Sequence, residues 1–172
     1  PSDLERAHPA SPQDMAVIIR LVYDVNIRTL LVFLFLTMSR YSDVLDMTID
    51  EVWFVGSGAT VLQLNPGRFK SDVFGEKALF KMFELPGTAW CTAEQVSRVL
   101  AHPPSYISVL STLKAIPQLS HLSLHSFRGG SITAAAAAFE RAEIVQMSLH
   151  QSLLGNRSVR RYVTPHVDHE ES

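Results

Sequence analysis

Residues 30–36 read LLVFLFL, and this run of seven apolar residues decides the fold. It is too short to cross a bilayer, which requires roughly 20 apolar residues. At this length it predicts a helix buried in a protein core, from about residue 25 or 26 to Met38. We therefore expect other elements to pack around this helix, and we expect no membrane partner.

The segments on either side of the run predict an order of helices, strands and helices. Ser11 and Pro12 are typical of a helix start, and that helix should reach about Tyr23. A short helix should begin near Ser42. Residues that favour strands indicate a hairpin and a third strand, at 51–55, 60–64 and 77–85. Further helices are predicted at 92–101, 106–113, 125–140, 143–152 and 158–163. The fold class is α+β, mainly α, with a small antiparallel β-sheet.

The length and composition predict one ordinary domain over residues 1–172, because 47% of the residues are apolar and can fill a core. The only cysteine, Cys91, excludes an internal disulfide and fits a reducing, intracellular setting. A net charge of −2 counts against a nucleic-acid binder. A local basic face can still bind phosphates, and the candidates for it are Arg68, Arg157, Arg160 and Arg161.

Two basic residues lie at boundaries between predicted elements. Arg40 follows the buried helix, where it either reaches a ligand or pairs with Asp43 or Asp46. Lys70 follows the second predicted strand, where a lysine is usually solvated but is also able to give up a proton in a groove. Neither residue, taken singly, indicates a site.

The segment LHSFRGGSITA at 124–134 carries a histidine and an arginine close together. His125 and Arg128 share one face near the N-terminus of the predicted helix, where free N–H groups favour an anion. Gly129 and Gly130 each cost the helix about 1 kcal/mol relative to alanine, which a close approach by another backbone or by DNA would explain. The sequence leaves two interpretations open, an anion site and a capped structural helix.

Tyr162, in the segment SVRRYV, completes an ordered set of basic and nucleophilic residues. The four segments are TMSRYSDVLDM around Arg40, GRFKSD around Lys70, LHSFRGGSITAAA around His125 and Arg128, and SVRRYV. In this order they resemble the catalytic domain of the tyrosine recombinases (phage-integrase family). The resemblance covers nearly the whole chain and is closest to eukaryotic transposon-type members.

The resemblance implies the DNA breaking-rejoining fold and a reaction on duplex DNA. Arg40 and Arg128 would clamp the non-bridging oxygens of one phosphate, and Tyr162 would attack phosphorus to form a 3′-phosphotyrosyl link. Lys70 would protonate the leaving 5′ oxygen, and His125 would assist proton transfer. The implied function is site-specific recombination or DNA integration, which needs no metal or cofactor.

One position departs from the family pattern. The family usually has a second histidine or tryptophan about nine residues before the tyrosine, and Leu153 stands there, so His150 is the substitute candidate. Three alternatives therefore remain: a catalytically decayed DNA-binding relic of the same fold, a type IB topoisomerase-like activity, and a helical interaction module in which residues 124–130 are structural.

The resemblance also implies a setting for the chain. We expect the family's N-terminal core-binding domain to be absent from this chain. We expect an intracellular protein, nuclear in a eukaryotic host, with assembly as a homo-oligomer on DNA left open.

Overall fold

The structure, a computed structural model, describes residues 8–47, 52–55, 61–64, 78–81 and 92–138. Its helices are, in chain order, α1 (Pro12–Leu21), α2 (Val25–Thr37), α3 (Tyr41–Asp46), α4 (Ala93–Ala101), α5 (Tyr106–Ala115) and α6 (Ser126–Ala138). Its strands are β1 (Val52–Val55), β2 (Val61–Leu64) and β3 (Ala78–Lys81). The prediction of a mainly helical protein is confirmed for these residues. None of the helices among them has both the length and the apolar character needed to cross a membrane.

The chain divides into two compact units. The first comprises Pro1–Ile49 and Phe83–Ser131, and the second comprises Asp50–Met82 and Ile132–Ser172. Helices α1 to α5 and the first turns of α6 belong to the first unit, and the three strands belong to the second.

Helix α2 forms the core of the first unit, as the LLVFLFL run predicts. Every residue from Thr29 to Thr37 is buried, so this part of the helix has no face left for water. Asp24 caps its N-terminus, because the Oδ1 atom accepts the N–H groups of Asn26 and Ile27 at 3.0 and 3.1 Å. Helices α1 and α4 pack against α2 and cover it.

Helix α1 begins where the sequence predicts, at a complete capping box. Ser11 Oγ accepts the Asp14 N–H at 3.0 Å, and Asp14 Oδ2 accepts the Ser11 N–H at 2.9 Å. The helix ends at Leu21, two residues before the predicted end at Tyr23. Val22 has an extended backbone and is buried, whereas the Tyr23 side chain is exposed, so the chain turns away at this point.

Helices α4 and α5 also start at hydroxyl caps. Thr92 Oγ1 accepts the Gln95 N–H at 3.3 Å, and Ser105 Oγ accepts the Ser108 N–H at 3.1 Å. Both predicted helices are confirmed, and α5 extends to Ala115. A single 3₁₀ turn that the sequence did not indicate follows at Pro117–Leu119.

The strands of the second unit form a three-stranded antiparallel sheet in the order β1-β2-β3. Val52 pairs with Leu64 in the first hairpin, and Leu64 pairs with Ala78 in the second.

The burial of α2 predicts a large difference between two leucines. Leu34→Ala should lower the free energy of unfolding by about 2–5 kcal/mol, because it empties a fully buried position. Leu45→Ala on α3 is the matched control, and it should change stability by less than about 0.5 kcal/mol because Leu45 is half exposed. Urea unfolding followed by circular dichroism measures both. Equal effects would show that α2 is not the core.

Candidate phosphate-binding site

Helix α2 ends at a residue with a left-handed backbone. Met38 has φ 54°, and it is the only non-glycine residue with a positive φ among those the structure describes. Such a conformation costs an L-residue roughly 1–2 kcal/mol. The Met38 side chain is 0% exposed, so burial of a large apolar group offsets this cost. Strained backbone of this kind occurs often at functional sites.

Two buried hydroxyl groups, those of Thr37 and Ser39, stabilise the turn of the chain at Met38, which we call the corner. Thr37 Oγ1 donates to the Phe33 carbonyl oxygen at 2.7 Å, one turn back along α2. Because a threonine hydroxyl has one proton, the Ser39 hydroxyl is the donor in the 2.7 Å contact between Ser39 Oγ and Thr37 Oγ1. The Ser39 N–H donates to the Leu34 carbonyl oxygen at 3.2 Å. The backbone that leads into Arg40 is therefore fixed on both sides.

Arg40 is the first residue after this corner that reaches solvent. It occupies the N-cap position of α3, so the helix starts one residue earlier than the predicted start near Ser42. The cause is Asp43, whose Oδ2 accepts the Arg40 backbone N–H at 2.8 Å, as an acidic residue in the first helical turn often does.

Among the described residues, the Arg40 guanidinium is bonded on one edge only. Its Nε lies 3.4 Å from Asp43 Oδ2, and its side chain is 39% exposed. Of the two pairings that the sequence offers for Arg40, the structure shows the one with Asp43. The two terminal nitrogens have no hydrogen-bond partner among the described residues, and they form a planar fork that suits two oxygens of a phosphate.

The corner before Arg40 predicts coupling between its two hydroxyl groups. Thr37→Val keeps the shape of the side chain but removes the bonds to Phe33 and Ser39, and should lower the free energy of unfolding by about 1–3 kcal/mol. In a double-mutant cycle with Ser39→Ala, the two effects should differ from additivity by about 0.5–1.5 kcal/mol. Thermal and urea unfolding of the four proteins measure this. Additive effects would mean that the hydroxyl groups act independently.

The second candidate segment lies at the start of α6, which begins at Ser126 rather than at the predicted His125. Ser126 Oγ accepts the Ser123 N–H at 2.9 Å, and the Ser126 N–H donates to the Ser123 carbonyl oxygen at 3.1 Å. This tight turn places His125 immediately before the helix. The His125 side chain is exposed and makes no hydrogen bond with the described residues, so it does not cap the helix.

Arg128 differs from Arg40 in its surroundings. It lies in the first turn of α6 and is only 9% exposed, beside the fully buried Phe127. A guanidinium is seldom buried to this degree without partners that compensate for its lost hydration. Arg128 is therefore part of the packed interior as well as a neighbour of the exposed His125.

Gly130 allows a close backbone contact. A Cβ atom at this position would lie 1.9 Å from the Ala10 carbonyl oxygen and 2.7 Å from the Ala10 nitrogen. The Ala10 N–H donates to the Ser126 carbonyl oxygen at 2.9 Å, in the turn just before. Of the two partners considered for this glycine, the one that the structure places there is the chain's own backbone.

Three of the sequence-predicted residues, Arg40, His125 and Arg128, belong to the first compact unit. Cys91 and Leu153 lie outside the described residues. So do the remaining candidates, which are Lys70, His150, Tyr162, Arg68, Arg157, Arg160 and Arg161. Within the described ranges, no group of three or more His, Cys, Asp or Glu residues could hold a metal ion.

Sequence reasoning missed the residues that support this site. The left-handed end of α2 falls on Met38, where no glycine or asparagine marks a helix end. The Thr37 and Ser39 hydroxyl groups flank that position, and this spacing was the one available sign of a polar corner after an apolar helix. Nothing in the sequence indicates that Ala10 meets Gly130, because 119 residues separate the two positions.

No protein-family model fits the chain, and none of the curated proteins matches it.

The contact at Gly130 predicts an effect opposite to the usual one. Alanine in place of a helical glycine ordinarily stabilises a helix by about 1 kcal/mol. Gly130→Ala should instead destabilise the protein, because the new methyl group meets backbone atoms of Ala10 that cannot rotate away. Ser111→Ala on the exposed face of α5 is the control and should change stability by less than about 0.5 kcal/mol. A higher melting temperature for Gly130→Ala would contradict the observed contact.

Proposed function

We propose that the chain breaks and rejoins DNA strands, with Tyr162 as the nucleophile and Arg40 and Arg128 as the phosphate clamp. The observation that carries the proposal is the Arg40 guanidinium, which Asp43 orients through Nε while no other described residue bonds its terminal fork. The order of the four sequence segments adds Lys70, the pair of His125 and Arg128, and Tyr162. In this proposal the strands and helices form the DNA breaking-rejoining fold, whose small sheet carries Lys70.

The proposed reaction exchanges one phosphodiester bond for another. The Tyr162 oxygen attacks phosphorus, the bond from phosphorus to the 5′ oxygen breaks, and a 3′-phosphotyrosyl link forms. Lys70 gives the leaving 5′ oxygen its proton, and His125 assists the proton transfer from the tyrosine. The link conserves the energy of the broken bond, so a strand can be rejoined by the reverse attack without ATP.

The two arginines have different parts in this proposal. Charge builds up on the non-bridging oxygens in the transition state, and two fixed guanidinium groups stabilise it. Arg40 would contact the phosphate with its terminal nitrogens, since Asp43 occupies Nε. Arg128, held in the packed first turn of α6, would supply the more rigid of the two contacts.

A DNA-binding relic of the same fold is the second candidate. Leu153 favours it, because a leucine at the position of the family's second histidine or tryptophan cannot donate a hydrogen bond to the phosphate. The relic would keep the phosphate clamp and lose strand cleavage. A type IB topoisomerase-like activity would keep the cleavage and relax supercoils.

A covalent trapping experiment tests the proposal. A pool of duplexes with randomised sequence, each nicked so that the cleaved fragment diffuses away, should give a protein–DNA adduct that survives denaturing electrophoresis. Tyr162→Phe should abolish the adduct, because it removes the nucleophilic oxygen. Tyr23→Phe is the control and should leave the adduct unchanged, since that side chain is exposed at the end of α1. An adduct formed by Tyr162→Phe would exclude the proposed nucleophile.

The clamp has its own matched pair of variants. Arg40→Ala should slow adduct formation about 10²–10³-fold, the range seen when one donor to a transition-state oxyanion is removed. Arg98→Ala removes an arginine that is also paired with a nearby carboxylate, at 2.7 Å from Glu94, and should have no effect. Salt-sensitive DNA binding that Arg40→Ala weakens, without any adduct from the unmodified protein, would select the relic. Relaxation of a supercoiled plasmid would select the topoisomerase-like activity.

A further inference from the structure

Residues 8–14, which we call the N-terminal strap, cross the first turn of α6. The Ala10 N–H donates to the carbonyl oxygen of Ser126, the residue between His125 and Phe127. The Ala10 backbone also fills the space where any other residue at position 130 would place its Cβ atom. Ala10 is 2% exposed, so this contact is sealed from water.

The strap makes a second set of contacts with His121, which precedes the first turn of α6 in the chain. The His121 Nε2 atom lies 3.2 Å from Asp14 Oδ1, and the His8 ring meets the His121 ring edge-on, with centroids 5.1 Å apart. The other Asp14 oxygen is held by the Ser11 N–H in the capping box of α1. One carboxylate therefore joins the start of α1 to the segment that leads into His125.

The contacts at His121 and Gly130 lie on either side of His125 and Arg128, and the bond to Ser126 lies between them. His121 precedes His125 by four residues, and Gly130 follows Arg128 by two. A turn that is held at both ends has little freedom to change the direction of its side chains. Neither attachment involves a side chain that the proposed reaction uses.

We propose that the N-terminal strap is a positioning element for His125 and Arg128, acting through His121, Asp14 and the contact between Ala10 and Gly130. The inference rests on the proposed function, since it assigns the strap to that same phosphate site. Loosening the strap should change where His125 and Arg128 point while both residues remain in place. A misplacement of about 1 Å at a reacting centre can cost about 10²-fold in rate.

Three variants of the full chain test this, and they weaken the strap at different points. Gly130→Ala displaces Ala10, His121→Ala removes the partner of Asp14 and of His8, and Asp14→Asn removes the charge that faces His121. His102→Ala is the control, since it removes another exposed histidine, at the end of α4. His121→Ala and Asp14→Asn keep the test valid if Gly130→Ala does not fold.

The first measurement is independent of DNA. The ring resonances of His125 in the NMR spectrum should move in the three strap variants and stay in place in His102→Ala. The second measurement separates binding from chemistry. The rate of adduct formation at saturating DNA should fall about 10-fold or more in Gly130→Ala and about 3-fold in His121→Ala, with a smaller change in the DNA dissociation constant.

Two failures are distinguishable. If the strap variants melt at lower temperature while the His125 resonances and the saturated rate are unchanged, the strap is only structural and the inference is wrong. If the unmodified protein gives no adduct, the proposed reaction is wrong, and the His125 resonances still decide whether the strap sets the position of that ring.

Discussion

The burial of helix α2 is the constraint on which the first unit depends. A helix whose residues from Thr29 to Thr37 are all buried must lie inside the unit, so its neighbours have to surround it and its end has to turn abruptly. The turn falls on Met38, whose left-handed backbone is tolerated because the side chain remains in the core. The hydroxyl groups of Thr37 and Ser39 are hydrogen-bonded to each other in the same buried corner. Arg40 is then the first side chain that reaches water. The position of this arginine follows from the way in which an apolar helix ends.

The two arginines of the candidate site differ in their surroundings. Arg40 is partly exposed, and a single carboxylate restrains it through Nε, which leaves the terminal fork available. Arg128 is almost buried at the start of α6, and its packed surroundings limit its movement. In the proposed reaction, the buried guanidinium would need little reorganisation as charge increases on the phosphate.

The sequence predicted local structure better than it predicted contacts between distant residues. The apolar run gave α2, and hydroxyl caps at Ser11 and Thr92 gave two helix starts, because these signals are local in the chain. The left-handed Met38 could not be predicted, because its cost is offset by burial, which is a property of the whole unit. The contact between Gly130 and Ala10 was also beyond prediction, although the glycine itself indicated that some backbone comes close. Lys70, His150 and Tyr162 remain predictions from the sequence.

The central claim is that Arg40 and Arg128 bind the same phosphate, and side-chain NMR with inorganic phosphate tests it most directly. Both Nε–H resonances should shift during the titration and give one common dissociation constant, because a single anion would contact both groups. The Arg98 resonance should stay in place, since that side chain is exposed and paired with Glu94. A shift of Arg40 alone, or shifts of the two arginines with different dissociation constants, would contradict the claim.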